Sequence, residues 1–230
     1  MGEMGFGKRT GIDIHEESTA LMPDRGWKRA RFNEPWYQGE TLSVGIGQSF
    51  WTVTPLQLAT STNIIATEGR RITPRLLRAT EHQGTFTLVE PIENLPIELT
   101  NPQHWHTIKK SMARTITHIR GTARTAFLNS TYTSAGKTGT AQVVALSDET
   151  DERPDIEDVA ERFRDNATYI GFAPAENPEI VVALAIENVG GGGRNAAPVS
   201  RAIMDYYFAD EQTKQEILAT IRSEREHADN

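Results

Sequence analysis

Hydrophobic positions change their spacing twice along this chain of 230 residues. The first fifty mix glycine, proline and aromatic residues without a sustained period. Within them, 35-PWYQG-39 and 44-VGIGQ-48 predict loop or short strand rather than long helix. At Thr54 the pattern turns helical. Thr54 is a capping residue, Pro55 suits the first helical position, and Gln57 stands three residues after the cap. Leu56, Leu58, Ala59, Ile64 and Ile65 follow, and Gly69 can end the helix. A second helix is predicted from Asn101-Pro102, with Trp105, Ile108, Met112, Ile116 and Ile119 at three- and four-residue spacing and Gly121 as its stop.

From Ser134 the period shortens, and strands are predicted at 137–146, 168–173 and 180–186. The turn-rich 174-PAENP-178 is short enough to join the last two as an antiparallel hairpin. Between the first two, the acidic stretch 147–165 reads as a solvated excursion. After 190-GGGG-193, a helix over 197–208 places Val199, Ile203 and Tyr207 on one face, with Pro198 near its start. Residues 211–230 read as a charged helix or tail. The whole is a mixture of helices and antiparallel strands.

Charge and composition narrow the chemistry. With 24 basic against 31 acidic residues the net charge is -7, and no long basic run is present to match a nucleic-acid backbone, which excludes that class of partner. No cysteine is present, so disulfides and cysteine nucleophiles are excluded while the redox compartment stays open. No apolar stretch approaches the roughly 20 residues that span a bilayer, and the first residues lack a signal-like apolar run.

One stretch, 134-SAGKTGTAQVV-144, carries the candidate chemistry. A phosphate-binding loop ending at Gly136-Lys137-Thr138 would need glycine where Thr131 stands and a helix where strand-forming residues follow. Gly45-Ile46-Gly47 fails as a dinucleotide fingerprint because Phe50 holds the third glycine position. The four glycines at 190–193 read as a connection rather than an anion-holding nest. His15, His82, His104, His106, His118 and His227 lack the spacing of a zinc hydrolase, and no cofactor is implied.

Lys137-Thr138-Gly139 on a strand is the element that accompanies a nucleophilic Ser-x-x-Lys motif in β-lactamases and penicillin-binding proteins. Strand alternation puts Thr138, Thr140 and Gln142 on one face and Lys137 on the other. Two threonine hydroxyls can hold a carboxylate, and the lysine supplies positive potential near a nucleophile. Gly139 lets a substrate lie close against the strand, and the Thr140 N–H can donate to an oxyanion. The competing reading makes Lys137 an edge-strand lysine that guards against aggregation. Ser134-Ala135-Gly136-Lys137 matches Ser-x-x-Lys only formally, because residues three apart on a strand face opposite ways. Ser61-Thr62-Asn63 matches the accompanying Ser-x-Asn element but falls inside the predicted helix from Thr54.

As a whole the chain resembles the C-terminal part of the transpeptidase domain of class B penicillin-binding proteins, of the elongation type called penicillin-binding protein 2. The matching residues are Phe6-Gly7, Thr10-Gly11-Ile12-Asp13, Pro35-Trp36-Tyr37-Gln38-Gly39, 44-VGIGQSFWTVTPLQLA-59, 121-GTA-123, Lys137-Thr138-Gly139-Thr140-Ala141-Gln142, Gly171-Phe172-Ala173-Pro174 and 196-AAPV-199. The resemblance implies an α/β (α+β) fold, an antiparallel sheet flanked by helices, with residues 1–230 forming the C-terminal portion of that domain. It also implies a serine acyltransferase that cross-links D-Ala-D-Ala stem peptides of peptidoglycan and is acylated by β-lactams. Such an enzyme works at the periplasmic face of the inner membrane with membrane proteins of the elongation complex.

Carried over, Lys137 and Thr140 are catalytic, with the Thr140 amide forming half of the oxyanion hole. Thr138, Gly139 and Thr140 bind substrate. In the family the nucleophile motif and the second motif precede the segment that resembles residues 1–13. This chain is therefore expected to lack both, together with the membrane anchor and the N-terminal pedestal domain, and to be inactive alone. A non-catalytic module that keeps the fold is the alternative, as is a D,D-carboxypeptidase or β-lactamase relative. An isolated piece of such a domain is also expected to expose apolar surface and self-associate.

Overall fold

The computed structural model describes residues 1–143 and 159–228. In chain order these form α1 (Arg25–Phe32), α2 (Gln38–Gly45), α3 (Pro55–Ala66), β1 (Arg71–Ile72), β2 (Ala79–His82), β3 (Thr85–Leu88), β4 (Glu93–Asn94) and α4 (Gln103–Thr117). Then follow β5 (Ala135–Ala141), β6 (Asn166–Ala173), β7 (Ile180–Ile186), α5 (Gly192–Phe208) and α6 (Glu211–Ala228). The acidic excursion lies mostly outside the described residues, as does the predicted end of the first strand; β5 itself stops at Ala141.

Strands β5, β6 and β7 pair in that order, antiparallel throughout, with Ala135 opposite Phe172, Lys137 opposite Ile170 and Ala173 opposite Ile180. Strand alternation gives this sheet two apolar faces, and each is covered. Ala196, Ala197 and Met204 of α5 pack with Ala167, Tyr169, Ala173 and Val182 on one. Ala66 of α3 and Met112 of α4 pack with Ala135 and Phe172 on the other. The architecture is thus an antiparallel sheet between helices, as the sequence predicts.

The structure departs from the periodicity of α5. Val199, Ile203 and Tyr207 do share a face, but it is exposed; the buried positions are Gly192, Ala196, Ala197, Ser200 and Met204. Small residues fill most of this face because the first turns of the helix lie close against the sheet, and Met204 packs further along the helix. Gly192 approaches nearest. A Cβ there would stand 2.2 Å from the Gly139 carbonyl oxygen and 2.4 Å from that of Thr168. The glycine run is therefore the start of a helix wedged against the sheet, not a loose connection.

Two short helices replace the irregular structure expected in the first fifty residues. Asp24 caps α1 by accepting from the Trp27 N–H at 2.7 Å, and the Glu40 carboxylate caps α2 by accepting from the Tyr37 N–H at 2.7 Å. Each cap satisfies a backbone donor at a helix start that has no partner within the helix. The predicted α3 signature forms in full: Thr54 Oγ1 accepts from the Gln57 N–H, and Gln57 Oε1 accepts from the Thr54 N–H, both at 3.1 Å. Gln57 is fully buried, and its Nε2 also donates to the carbonyls of Lys8 and Thr19 at 2.8 Å each. One side chain thereby ties the N-terminal segment to the core. Gln57→Leu leaves these carbonyls without their donor and should lower unfolding free energy by about 2–3 kcal/mol, read as a shift in chemical denaturation midpoint.

In α4, Trp105, Met112 and Ile116 are buried, whereas Ile108 is partly exposed and Ile119 lies beyond the helix in solvent. Leu42, Ile46 and Leu95 are also at least three-quarters exposed, at 75%, 78% and 83%. Among the described residues no helix is long and apolar enough to cross a membrane.

Candidate functional site

Strand β5 carries the candidate residues and is an outer strand of its sheet among the described residues. Its register fixes their directions. Lys137 lies opposite Ile170, on the α3–α4 side, while Thr138 lies opposite Tyr169, under α5. On that side Lys137 is exposed and Gly139 half-buried. No side chain fits at Gly139: a Cβ would stand 2.3 Å from the Thr168 hydroxyl.

The edge backbone is the second feature. Gln48 Nε2 donates to the Thr140 carbonyl at 3.4 Å, and the Lys137 ammonium donates to the Thr138 carbonyl. Both carbonyls therefore point away from β6. Because the N–H and C=O of one strand residue point to the same side, the Thr140 N–H also faces the open edge. An exposed lysine and an outward amide are thus brought within one strand turn of each other. That pair can lower the energy of an oxyanion forming at the edge.

Thr138 and Thr140 do share a face, as alternation requires, but not the same exposure. Thr140 is half-buried near the edge. Thr138 is 6% exposed, and its Oγ1 lies 2.7 Å from the Thr122 hydroxyl. Thr122 belongs to the turn after α4, where Gly121 passes so close to the Thr115 carbonyl that a Cβ would stand 2.3 Å from it. The pair locks β5 to that turn. Removing the hydroxyl with Thr122→Val strands the buried Thr138 partner, and an expected loss of about 1–2 kcal/mol is measurable by denaturant titration.

The formal serine matches are not placed as nucleophiles. Ser134 is buried under the α5 side, opposite in direction to Lys137, and Ser61 is buried with its hydroxyl donating to the Leu58 carbonyl at 3.0 Å. Burial also pushes the Tyr169 phenol above its ordinary value, so this hydroxyl stays neutral where it packs against Gly136 and Gly171. Among the described residues no group of three His, Asp or Glu side chains is arranged to hold a metal ion. Gln48 is the contributor that residue chemistry alone did not single out. Its signal was its place in the 44–59 block, not any spacing to Lys137.

The family described as the penicillin binding protein transpeptidase domain matches residues 1–205. The peptidoglycan D,D-transpeptidase MrdA of Haemophilus influenzae is 41% identical over 208 residues, which cover 90% of this chain and 32% of that protein. Pseudomonas aeruginosa PBP2, solved in complex with WCK 5153, superposes with a TM-score of 0.74 at 38% identity over 91% of this chain and 43% of its own. PBP2 of Helicobacter pylori, solved in complex with MreC, gives a TM-score of 0.72 at 28% identity over 90% and 35%. The chain spans about a third of the length of the curated relatives it matches. From the first residues through the Lys137 strand and into α5, the chain belongs to the penicillin binding protein transpeptidase domain family.

Proposed function

We propose that this chain forms the carboxylate- and oxyanion-holding wall of a peptidoglycan D,D-transpeptidase in cell-wall elongation. The observation that carries the reading is the outward turn of Thr140 on an outer strand, two residues past Lys137's own carbonyl-bound neighbour. A serine hydroxyl from elsewhere in the polypeptide attacks the penultimate D-Ala carbonyl of a stem peptide, and the terminal D-Ala leaves. An amine of a second stem peptide then takes the acyl group. The Thr140 N–H donates to the oxyanion in both steps. Lys137 holds positive potential beside the nucleophile, Gly139 admits the substrate backbone, and the Thr140 hydroxyl reaches the substrate carboxylate. Thr138 shares that carboxylate by exchanging its bond with Thr122.

A β-lactam would acylate the same serine. The full-length enzyme would work at the periplasmic face of the inner membrane, beside elongation proteins of the kind seen with the Helicobacter pylori relative. A fluorescent penicillin tests the reading. The longer polypeptide that carries this chain should take a saturable covalent label, and residues 1–230 alone should take none. A saturable, denaturation-sensitive label on the 230-residue chain would place the nucleophile within it and overturn this division of labour.

A further inference from the structure

We propose that Gln48 is a positioning residue of this site: its side-chain amide holds the outer edge of β5 and keeps the Thr140 N–H aimed at the reacting carbonyl. The inference rests on the transpeptidase reading of the Lys137–Thr140 strand. Four observations converge on it.

The first is the need for a tether. Gly139 immediately precedes Thr140, and a glycine leaves the following peptide freer than any other residue would. The strand ends one residue later, at Ala141, and β6 is its one strand partner among the described residues. An outer-strand residue between a glycine and a strand end frays unless something on its open side fixes it.

The second is the tether itself. Gln48 Nε2 reaches the Thr140 carbonyl at 3.4 Å across a sequence separation of 92 residues. Its own backbone is anchored, since the Gln48 N–H donates to the Ser43 carbonyl at 2.9 Å and the Gly47 N–H to that of Val44 at 3.0 Å. Gly47 and Ser49 on either side hold positive φ, of 78° and 75°, which defines a tight turn closing α2. A side chain carried on such a turn has a fixed origin and can fix its partner.

The third is the match to the opposite face. Gly192 wedges against the Gly139 carbonyl from behind. On the α5 face the strand is held by backbone packing; at its outer edge, among the described residues, the Gln48 amide holds the Thr140 carbonyl. The two contacts bracket the peptide that presents the Thr140 N–H.

The fourth is chemical. The other outward carbonyl, that of Thr138, is held by the Lys137 ammonium. A second cation at position 48 would compete with Lys137 for the substrate carboxylate. A neutral amide donates without adding charge. A carbonyl has two lone pairs, so Gln48 can stay bonded to Thr140 while a substrate N–H uses the second.

The test uses the longer polypeptide that carries this chain, with a fluorescent penicillin as probe and Lys137→Ala as reference. Gln48→Met keeps the length of the side chain and removes the donor. It should lower the limiting acylation rate about 3- to 10-fold, the worth of one such hydrogen bond, while half-saturation moves less than about two-fold. Gln48→Glu, of equal size and carrying a carboxylate that repels the Thr140 carbonyl, should fall further. Hydrogen exchange should quicken at 139–141 in both variants, with the melting temperature little changed. That local exchange is the readout a merely structural contact between α2 and β5 would not confine to the strand end.

If Lys137→Ala is slow but Gln48→Met acylates at the wild-type rate, the positioning role is overturned and the site reading stands. If the unsubstituted polypeptide takes no label, or Lys137→Ala labels as fast as it does, the site reading fails and this inference with it. Should Gln48→Met fail to fold, wild-type acylation by Gln48→Glu overturns the role equally.

Discussion

Lys137→Ala should reduce penicillin acylation of the polypeptide carrying this chain by about 10²- to 10³-fold, the usual loss when a preorganised electrostatic group is removed from an acyl-transfer site. The effect should fall on chemistry and not on folding. Lys137 is exposed, its ammonium donates only to the neighbouring carbonyl among its described hydrogen bonds, and its removal leaves no buried group stranded. Exposed positions of this kind change stability by no more than about 0.5 kcal/mol. Lys137→Arg should recover only part of the rate. A planar guanidinium keeps the charge but cannot place a compact point donor beside a serine. Stopped-flow or time-sampled labelling, with thermal melts of the same preparations, separates the two effects. Wild-type labelling by Lys137→Ala would leave the lysine as edge protection only.

Gly192→Ala should destabilise strongly, by about 3 kcal/mol. The added methyl meets two backbone oxygens, of Gly139 at 2.2 Å and Thr168 at 2.4 Å, and neither can swing aside as a flexible side chain would. Either α5 lifts away or β5 parts from β6. Both movements displace Thr140, so acylation should fall with stability. The neighbouring glycine is the internal control. Gly191 is the N-cap of α5 with φ -69°, and an added methyl there would meet nothing within 4 Å, so Gly191→Ala should cost only the poorer cap, about 1 kcal/mol or less. Equal denaturation midpoints for the two variants would contradict the wedge.

What could be read beforehand followed from local chemistry. The capping box at Thr54 and Gln57, the helix after Asn101 and the three strands rest on interactions within a few residues, and all formed. The alternation of Lys137 and Thr138 followed from strand geometry alone, and the register confirms it. What escaped depended on partners distant in sequence. Periodicity chose Val199, Ile203 and Tyr207 as a face of α5, because it weighs hydrophobicity and cannot see how near the sheet will come. Close approach put Gly192, Ala196, Ala197 and Ser200 on the buried face instead. The same blindness hid the Thr122 bond to Thr138 and the reach of Gln48. A hydroxyl or amide gives no sign in sequence of which carbonyl, tens of residues away, will receive it.

The wedge of Gly192 against Gly139 also sets an order of events in time. The segments that fix β5 come from before it, at Gln48 and Thr122, and from well after it, at Gly192. A wall held by contacts of such long sequence separation pays loop-closure entropy before it gains packing, and regions of that kind are completed late in folding. As the chain emerges from the ribosome, β5 therefore exists before the helix that seats it. During that interval its outer edge is a ready template for another strand, and an exposed lysine at position 137 then guards a folding intermediate against edge-to-edge pairing.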